Sequence, residues 1–167
     1  MVIETYRFGE VEIDEAKILT FEKGIPGFEK LHRFAIVSLP DVVPFFWLQS
    51  LDDTDIALAV VNPFDIAPDY APKVDDEVFD ELRAESEEDM ICVAVTVIPE
   101  AIEKATMNLA APILINARLN LGKQVVLEGN YDLRYPIFKS TPAGSETKGG
   151  GADAGTDAQD RAVSHSG

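Results

Sequence analysis

The chain has 167 residues, enough for one domain with a buried core, and its 46% hydrophobic content is that of an ordinary soluble globular protein. Its 30 acids against 14 bases give a formal charge of −16, which opposes the counterion release that drives nucleic-acid binding and points either to a basic protein partner or simply to solubility. One cysteine excludes an internal disulfide, no apolar run approaches the roughly 18 residues of a membrane span, and no basic stretch precedes an apolar one at the N-terminus. A cytoplasmic protein is expected.

In chain order, "GEVEID" (9–14) alternates cleanly, with Val11 and Ile13 on one face and three acids on the other, and predicts a half-buried strand. "GIPGFE" (24–29) then predicts a turn. Pro26 presets φ at the second position, Gly27 accepts the positive φ that a type II turn needs at the third, and Ile25 before the proline is biased to extended geometry. Gly24, Pro26 and Gly27 are thus structural turn residues, and Phe28 either caps the core or faces a partner. "RFAIVSLP" (33–40), "FFWLQS" (45–50) and "IALAVV" (56–61) read as short strands bounded by Pro, Asp or Asn.

Residues 74–88, "VDDEVFDELRAESEE", change period. Val74, Val78 and Leu82 recur every four residues with Phe79 beside them, which predicts one amphipathic helix. Its other faces, continued to Asp89, carry nine acids in fifteen residues against Arg83 alone. Such a run is either a solvated face or a docking surface. "ICVAVTVI" (91–98) is apolar on both faces and suits a central strand, with Cys92 as a small core hydrophobe. "PILINARL" and "QVVLEGNY" flank "NLGK", where Gly122 predicts a tight hairpin. The prediction is therefore a mainly β domain over residues 1–138, an antiparallel barrel or sandwich with one acidic helix. From residue 139 the composition loses its aromatics and nearly all its branched aliphatics, which predicts a disordered tail over 139–167, dispensable for the fold.

The sequence offers little for catalysis. His32 is isolated, since His165 lies in the tail, and no nucleophile-elbow pattern accompanies Ser38 or Ser50. One cysteine and one domain histidine are too few for zinc. "DDTD" (52–55) lacks the glycine and distal glutamate of an EF-hand loop and reads as a turn. Gly24 and Gly27 are not followed by the lysine of a phosphate loop. No catalytic, cofactor or metal site is predicted. A small-molecule-binding or hydrolytic β-barrel is the alternative, supported by fold class alone.

Taken together, "LTFEKGIPGFE" (19–29), "FFWLQSLDDTDIALAVVNPF" (45–64), Tyr70 ahead of the acidic helix and "TMNLAAPILINARLNLGKQVVL" (106–127) resemble the FliW family of bacterial flagellar assembly factors. The likeness runs from about residue 2 to about residue 138. It implies a β-rich, barrel-like binding protein that attaches to the translational repressor CsrA, relieving its repression of flagellin synthesis, and to flagellin as an alternative partner, with no direct contact to nucleic acid or membrane. Under that resemblance Phe28, Glu29, Gln49, Ser50, Tyr70 and Asn108, with Asp80, Glu81, Glu85 and Glu88 on the acidic helix, become candidate partner contacts. Gln49 and Ser50 otherwise read as a strand end, and Asn108 as a turn former.

Overall fold

The computed structural model describes residues 1–138, so the expectation of a disordered tail falls outside the described residues. Strands β1 (Val2–Thr5) and β2 (Gly9–Glu12) form a separate hairpin. It lies against the main body through Phe8, whose ring meets Trp47 at 5.6 Å, and through Arg7, whose guanidinium stacks 4.7 Å from the same indole. The main sheet contains β3 (Leu19–Thr20), β4 (Arg33–Val37), β5 (Phe46–Ser50), β6 (Ala57–Val61), β7 (Met90–Val97), β8 (Thr106–Met107), β9 (Ile113–Asn116), β10 (Leu121–Gln124) and β11 (Tyr135–Pro136). Two short helices interrupt it: α1 (Pro63–Ile66), capped by the Asn62 side chain, and α2 (Asp76–Glu81).

The order β7-β6-β5-β4-β3-β10-β9 closes because β9 also pairs with β7, making a barrel with β8 and β11 as an extension beyond it. Strand β7 is the seam. Its first half, Met90–Val93, pairs with β9; Ala94 and Val95 pair with β6 across the other edge; Thr96 and Val97 pair with β8. The strand is apolar on both faces because its middle, Val93 and Ala94, is covered on both. Val93 points into the barrel with Phe21, Phe34, Leu48, Val60, Ile113 and Ile115, while Cys92 joins the cluster under α2 and Ala94 the cluster formed with β8 and α1. The lumen is filled by those side chains, each at most 1% exposed.

Two expectations need correction. The helix spans Asp76–Glu81, not 74–88, because Arg83 takes a left-handed conformation (φ 56°). The Ala84 amide then donates to Phe79 O and the Arg83 amide to Asp80 O, the bond pattern of a Schellman ending. A second short turn, Glu87–Asp89, follows, capped by Ser86. In the β9–β10 hairpin the left-handed residue is Asn120 (φ 60°), not Gly122. Gly122 sits within β10 opposite Ile115, where a Cβ would strike the Phe21 ring. Its smallness makes room for an aromatic, not for a turn, and of "QVVLEGNY" only Gln124 belongs to a strand.

Candidate functional site: the surface around the acidic helix

Helix α2 is anchored by its apolar stripe. Val78 and Leu82 are buried against Leu114, Leu121, Val125 and Leu127, with Val74, Met90 and Cys92 at the margin. The Cys92 thiol is pushed up to about 12 by burial, which keeps it a neutral packing group. Asn116, wholly buried at the end of β9, donates from Nδ2 to the carbonyls of Leu82 (2.8 Å) and Arg83 (3.3 Å), satisfying the end of α2. Its Oδ1 accepts from the Arg118 and Leu119 amides (2.9 and 3.2 Å) and shapes the β9–β10 turn.

The acids around α2 divide into two sets. Glu81 receives Lys23 at 2.9 Å and Lys123 at 3.4 Å; the Lys23 hydrogen bond holds its carboxyl below, and the lysine above, their ordinary ranges. Asp89 accepts the Glu85 amide (2.9 Å), the main cause of its lowered pKa, and meets Arg118 at 3.5 Å; Glu85 lies 3.9 Å from the same guanidinium. Asp75, Asp76, Glu77, Asp80, Glu87 and Glu88 are exposed and form no ion pair among the described residues. The bases that neutralise the first set come from 23, 118 and 123, so a reading along the helix alone misses them.

The other candidates fall in different settings. In "GIPGFE" the Phe28 amide donates to Ile25 O at 2.6 Å with Gly27 at φ 92°, the predicted type II turn, and Gly24 sits where a Cβ would strike the Glu29 backbone. Phe28 is half-buried against the barrel core. Glu29 is exposed, but its carboxylate accepts the Gly27 amide at 3.1 Å, which lowers its pKa. Gly24 and Glu81 line one small cleft of about 140 Å³, so the turn and α2 share a surface. Gln49 and Ser50 are wholly buried and offer no contact surface. The Gln49 Nε2 reaches the carbonyls of Ser50, Thr54 and Ile56 (3.0, 3.2 and 3.2 Å), and Ser50 Oγ accepts the Asp52 and Asp53 amides, so both brace the 50–56 turn. The "DDTD" turn is built from inside. Asn108 Oδ1 accepts the Ala110 and Ala111 amides, its turn-forming role.

Tyr70 is half-buried, its hydroxyl donating to Leu109 O at 2.7 Å; burial raises its pKa. With Val74, Phe79, Glu87, Met90 and Cys92 it lines an outer groove of about 470 Å³. A second groove, about 670 Å³, opens at the barrel mouth between the 38–45 loop and β7, lined by Ile36, Val43, Phe45 and Phe46. Neither groove was signalled by a motif. The exposed Val43 (76%) and Ile36 (42%) are the sequence-visible trace of the second, as large apolar residues that the core does not take.

Among the described residues no group of three or more His, Cys, Asp or Glu could hold a metal ion, and no helix is long and apolar enough to cross a membrane. What the fold defines is a small acidic β-barrel with a filled lumen whose recognisable features lie on its outer surface. The chain belongs to the FliW family: the family model described as FliW protein matches residues 2–137. The flagellar assembly factor FliW of Caldicellulosiruptor saccharolyticus is 43% identical over 140 residues, covering 83% of this chain and 91% of that one. Its namesake from Thermotoga maritima is 44% identical over 137 residues, covering 81% and 91%. A crystal structure of the flagellar assembly factor FliW superposes with a TM-score of 0.78 at 33% identity, covering 84% of this chain and 99% of that one.

Proposed function

We propose that this chain is a cytoplasmic, non-enzymatic regulator that binds CsrA, antagonises its hold on RNA and so relieves repression of flagellin translation, and that it binds flagellin as an alternative partner. Residues 1–138 carry both activities in this reading. The observation that carries it is the set of six unpaired acids on and beside α2 in a family of flagellar assembly factors. A basic RNA-binding protein is drawn to such a field, and negative charge held beside its RNA surface disfavours a second polyanion. Asp80 and Glu88, unpaired, are the direct contacts in this scheme; Glu81 and Glu85 act through their contribution to the field. Tyr70 shares the outer groove with Phe79 of α2, and Gly24 shares a small cleft with Glu81; Phe28 and Glu29, on the same turn as Gly24, are further contacts in this scheme.

A mobility-shift titration tests this. Adding the protein to a CsrA–flagellin leader complex should release the leader, while the protein alone should not shift the leader at physiological salt. Retention of the complex at saturating protein, or a shift by the protein alone, would overturn the proposal.

A further inference from the structure

The barrel wall has a notch. Strand β6 ends at Val61, opposite Ala94, and the chain turns away into α1, whereas β7 begins four residues earlier at Met90. Met90–Val93 are therefore paired along one edge only, to β9. Met90 donates its amide to Glu87 O of the preceding turn, and among the described residues no backbone hydrogen bond joins Ile91, Cys92 or Val93 to any segment other than β9. The direction of the free groups follows from alternation. Asn108 donates to Val95 O at 2.9 Å on the β8 side, so Val93 and Ile91 also face that side, toward β9, and Cys92 turns its amide and carbonyl the other way, into the notch.

The two grooves flank this edge. Ile91 and Cys92 line both: the outer groove continues to Tyr70 and Phe79, the inner one to Ile36 and Phe46 at the barrel mouth. A strand laid along the edge would send alternate side chains to opposite faces, and so alternately into the two grooves. The inner groove is mostly apolar, whereas the outer one mixes polar and apolar atoms, with the Tyr70 hydroxyl already bonded to Leu109. Glu87 lines the outer groove, the exposed Asp75 and Asp76 follow its lining residue Val74, and the exposed Asp41 lies within the 38–45 loop between Pro40 and Val43 of the inner groove; none has an ion-pair partner among the described residues. The complementary occupant has apolar residues in its middle and bases at its ends.

We infer that the β7 edge at Met90–Val93 is a strand-addition site for an extended partner segment with lysine or arginine at its ends, bonded to the Cys92 backbone and anchored by alternate apolar side chains in the two grooves. The inference rests on the protein-docking role proposed above and specifies its mode of attachment. A four-residue edge recessed between grooves admits a chosen strand while offering little template for uncontrolled pairing.

The test uses the full chain and a short peptide of alternating valine and leucine with lysine at both ends, against the same peptide with glutamate ends and one with alternate backbone nitrogens methylated. Exchange of the Cys92 amide, read by NMR, should be fast in the free protein and slow at least about tenfold when the lysine peptide binds. Methylation on the bonded edge, or glutamate ends, should each weaken binding at least about tenfold, and Val43→Lys at an exposed rim position should do the same without lowering the melting midpoint. No binding, equal affinity for the methylated peptide, or a Cys92 amide unchanged on binding would overturn the inference. So would protection that grows with protein concentration alone, which would assign the edge to a second copy. If CsrA binds and leaves Cys92 exchanging freely, the partner stands and the notch falls; if the peptide protects Cys92 but neither CsrA nor flagellin binds, the reverse holds.

Discussion

A glutamine with no exposed surface must recover the hydrogen bonds it lost to water, and Gln49 does so in part: its Nε2 braces three carbonyls of the 50–56 turn, while its Oε1 has no partner among the described residues. Gln49→Leu keeps the volume and removes the donor, leaving part-buried carbonyls unsatisfied; the expected loss is about 1–3 kcal/mol in urea denaturation, with partner affinity of the folded fraction unchanged. Loss of affinity without loss of stability would return Gln49 to the contact surface. Asp52 fastens the other side of that turn, accepting the amides of His32 (2.7 Å) and Arg33 (3.0 Å) and the Arg33 guanidinium (3.0 Å). Burial pushes its carboxyl up, but those three donors outweigh it and the pKa is lowered. A carboxyl depressed by folding stabilises fully above its unfolded value near 4, and the contribution is lost as pH falls through the folded value. Asp52→Asn should therefore lower stability at neutral pH and flatten the acid limb of the stability curve below about pH 4. Parallel wild-type and variant curves across that range would show that Asp52 does not supply this dependence.

At the scale of elements, α2 shows why its start was legible and its end was not. The stripe Val74, Val78, Leu82 is local information, and the buried residues match it. The helix stops at an arginine in a left-handed conformation, without the glycine that would have marked the ending. The residue that satisfies its last carbonyls, Asn116, is 34 positions from Leu82. The same reasoning covers Gly122, whose meaning lies in Phe21, a hundred residues away in sequence, and Gln49 and Ser50, whose polarity at a strand end mimicked an exposed edge until the turn closed over them. The longer strands β4, β5, β6, β7 and β9 were legible because alternation and apolar runs are written locally; the short β1, β3, β8 and β11, the true place of β10 and the closure of β9 on β7 were not. Arginine at the left-handed position is strained relative to glycine by about 1 kcal/mol. Its ion pair to Glu22 is long, at 3.8 Å, and exposed, so it offsets little. Arg83→Gly should raise the melting midpoint by a few degrees. A lowered midpoint would mean that the Arg83 side chain contributes more than its backbone conformation costs.

At the scale of the whole molecule, charge is the property that distinguishes this barrel. Residues 1–138 hold 26 acids and 11 bases, so the excess of −15 belongs to the folded part. Five of the ion pairs in the structure gather around α2, using Lys23, Arg83, Arg118 and Lys123, yet six acids there have no ion-pair partner among the described residues. The bases fasten the helix to β10 and to the turn region before Gly24, and the remainder sets the field outside. If that field steers a basic partner, association should slow as salt rises while dissociation changes less, because charges outside the buried contact act chiefly on encounter. Replacing Asp80, Glu81, Glu85 and Glu88 by their amides removes four charges and leaves Val78 and Leu82 packed. The variant should then associate with CsrA more slowly at low salt, show a flatter salt slope, and release RNA from CsrA less completely even where it still docks. Flagellin is the internal control: if it attaches through apolar contacts, its association should depend less on salt and change less in the variant. Stopped-flow association across a salt series, for parent and variant against both partners, separates the outcomes. Equal slopes toward CsrA would remove steering from the mechanism and leave the unpaired acids beside α2 a source of solubility alone, with Glu81 and Glu85 serving their ion pairs to Lys23, Lys123 and Arg118.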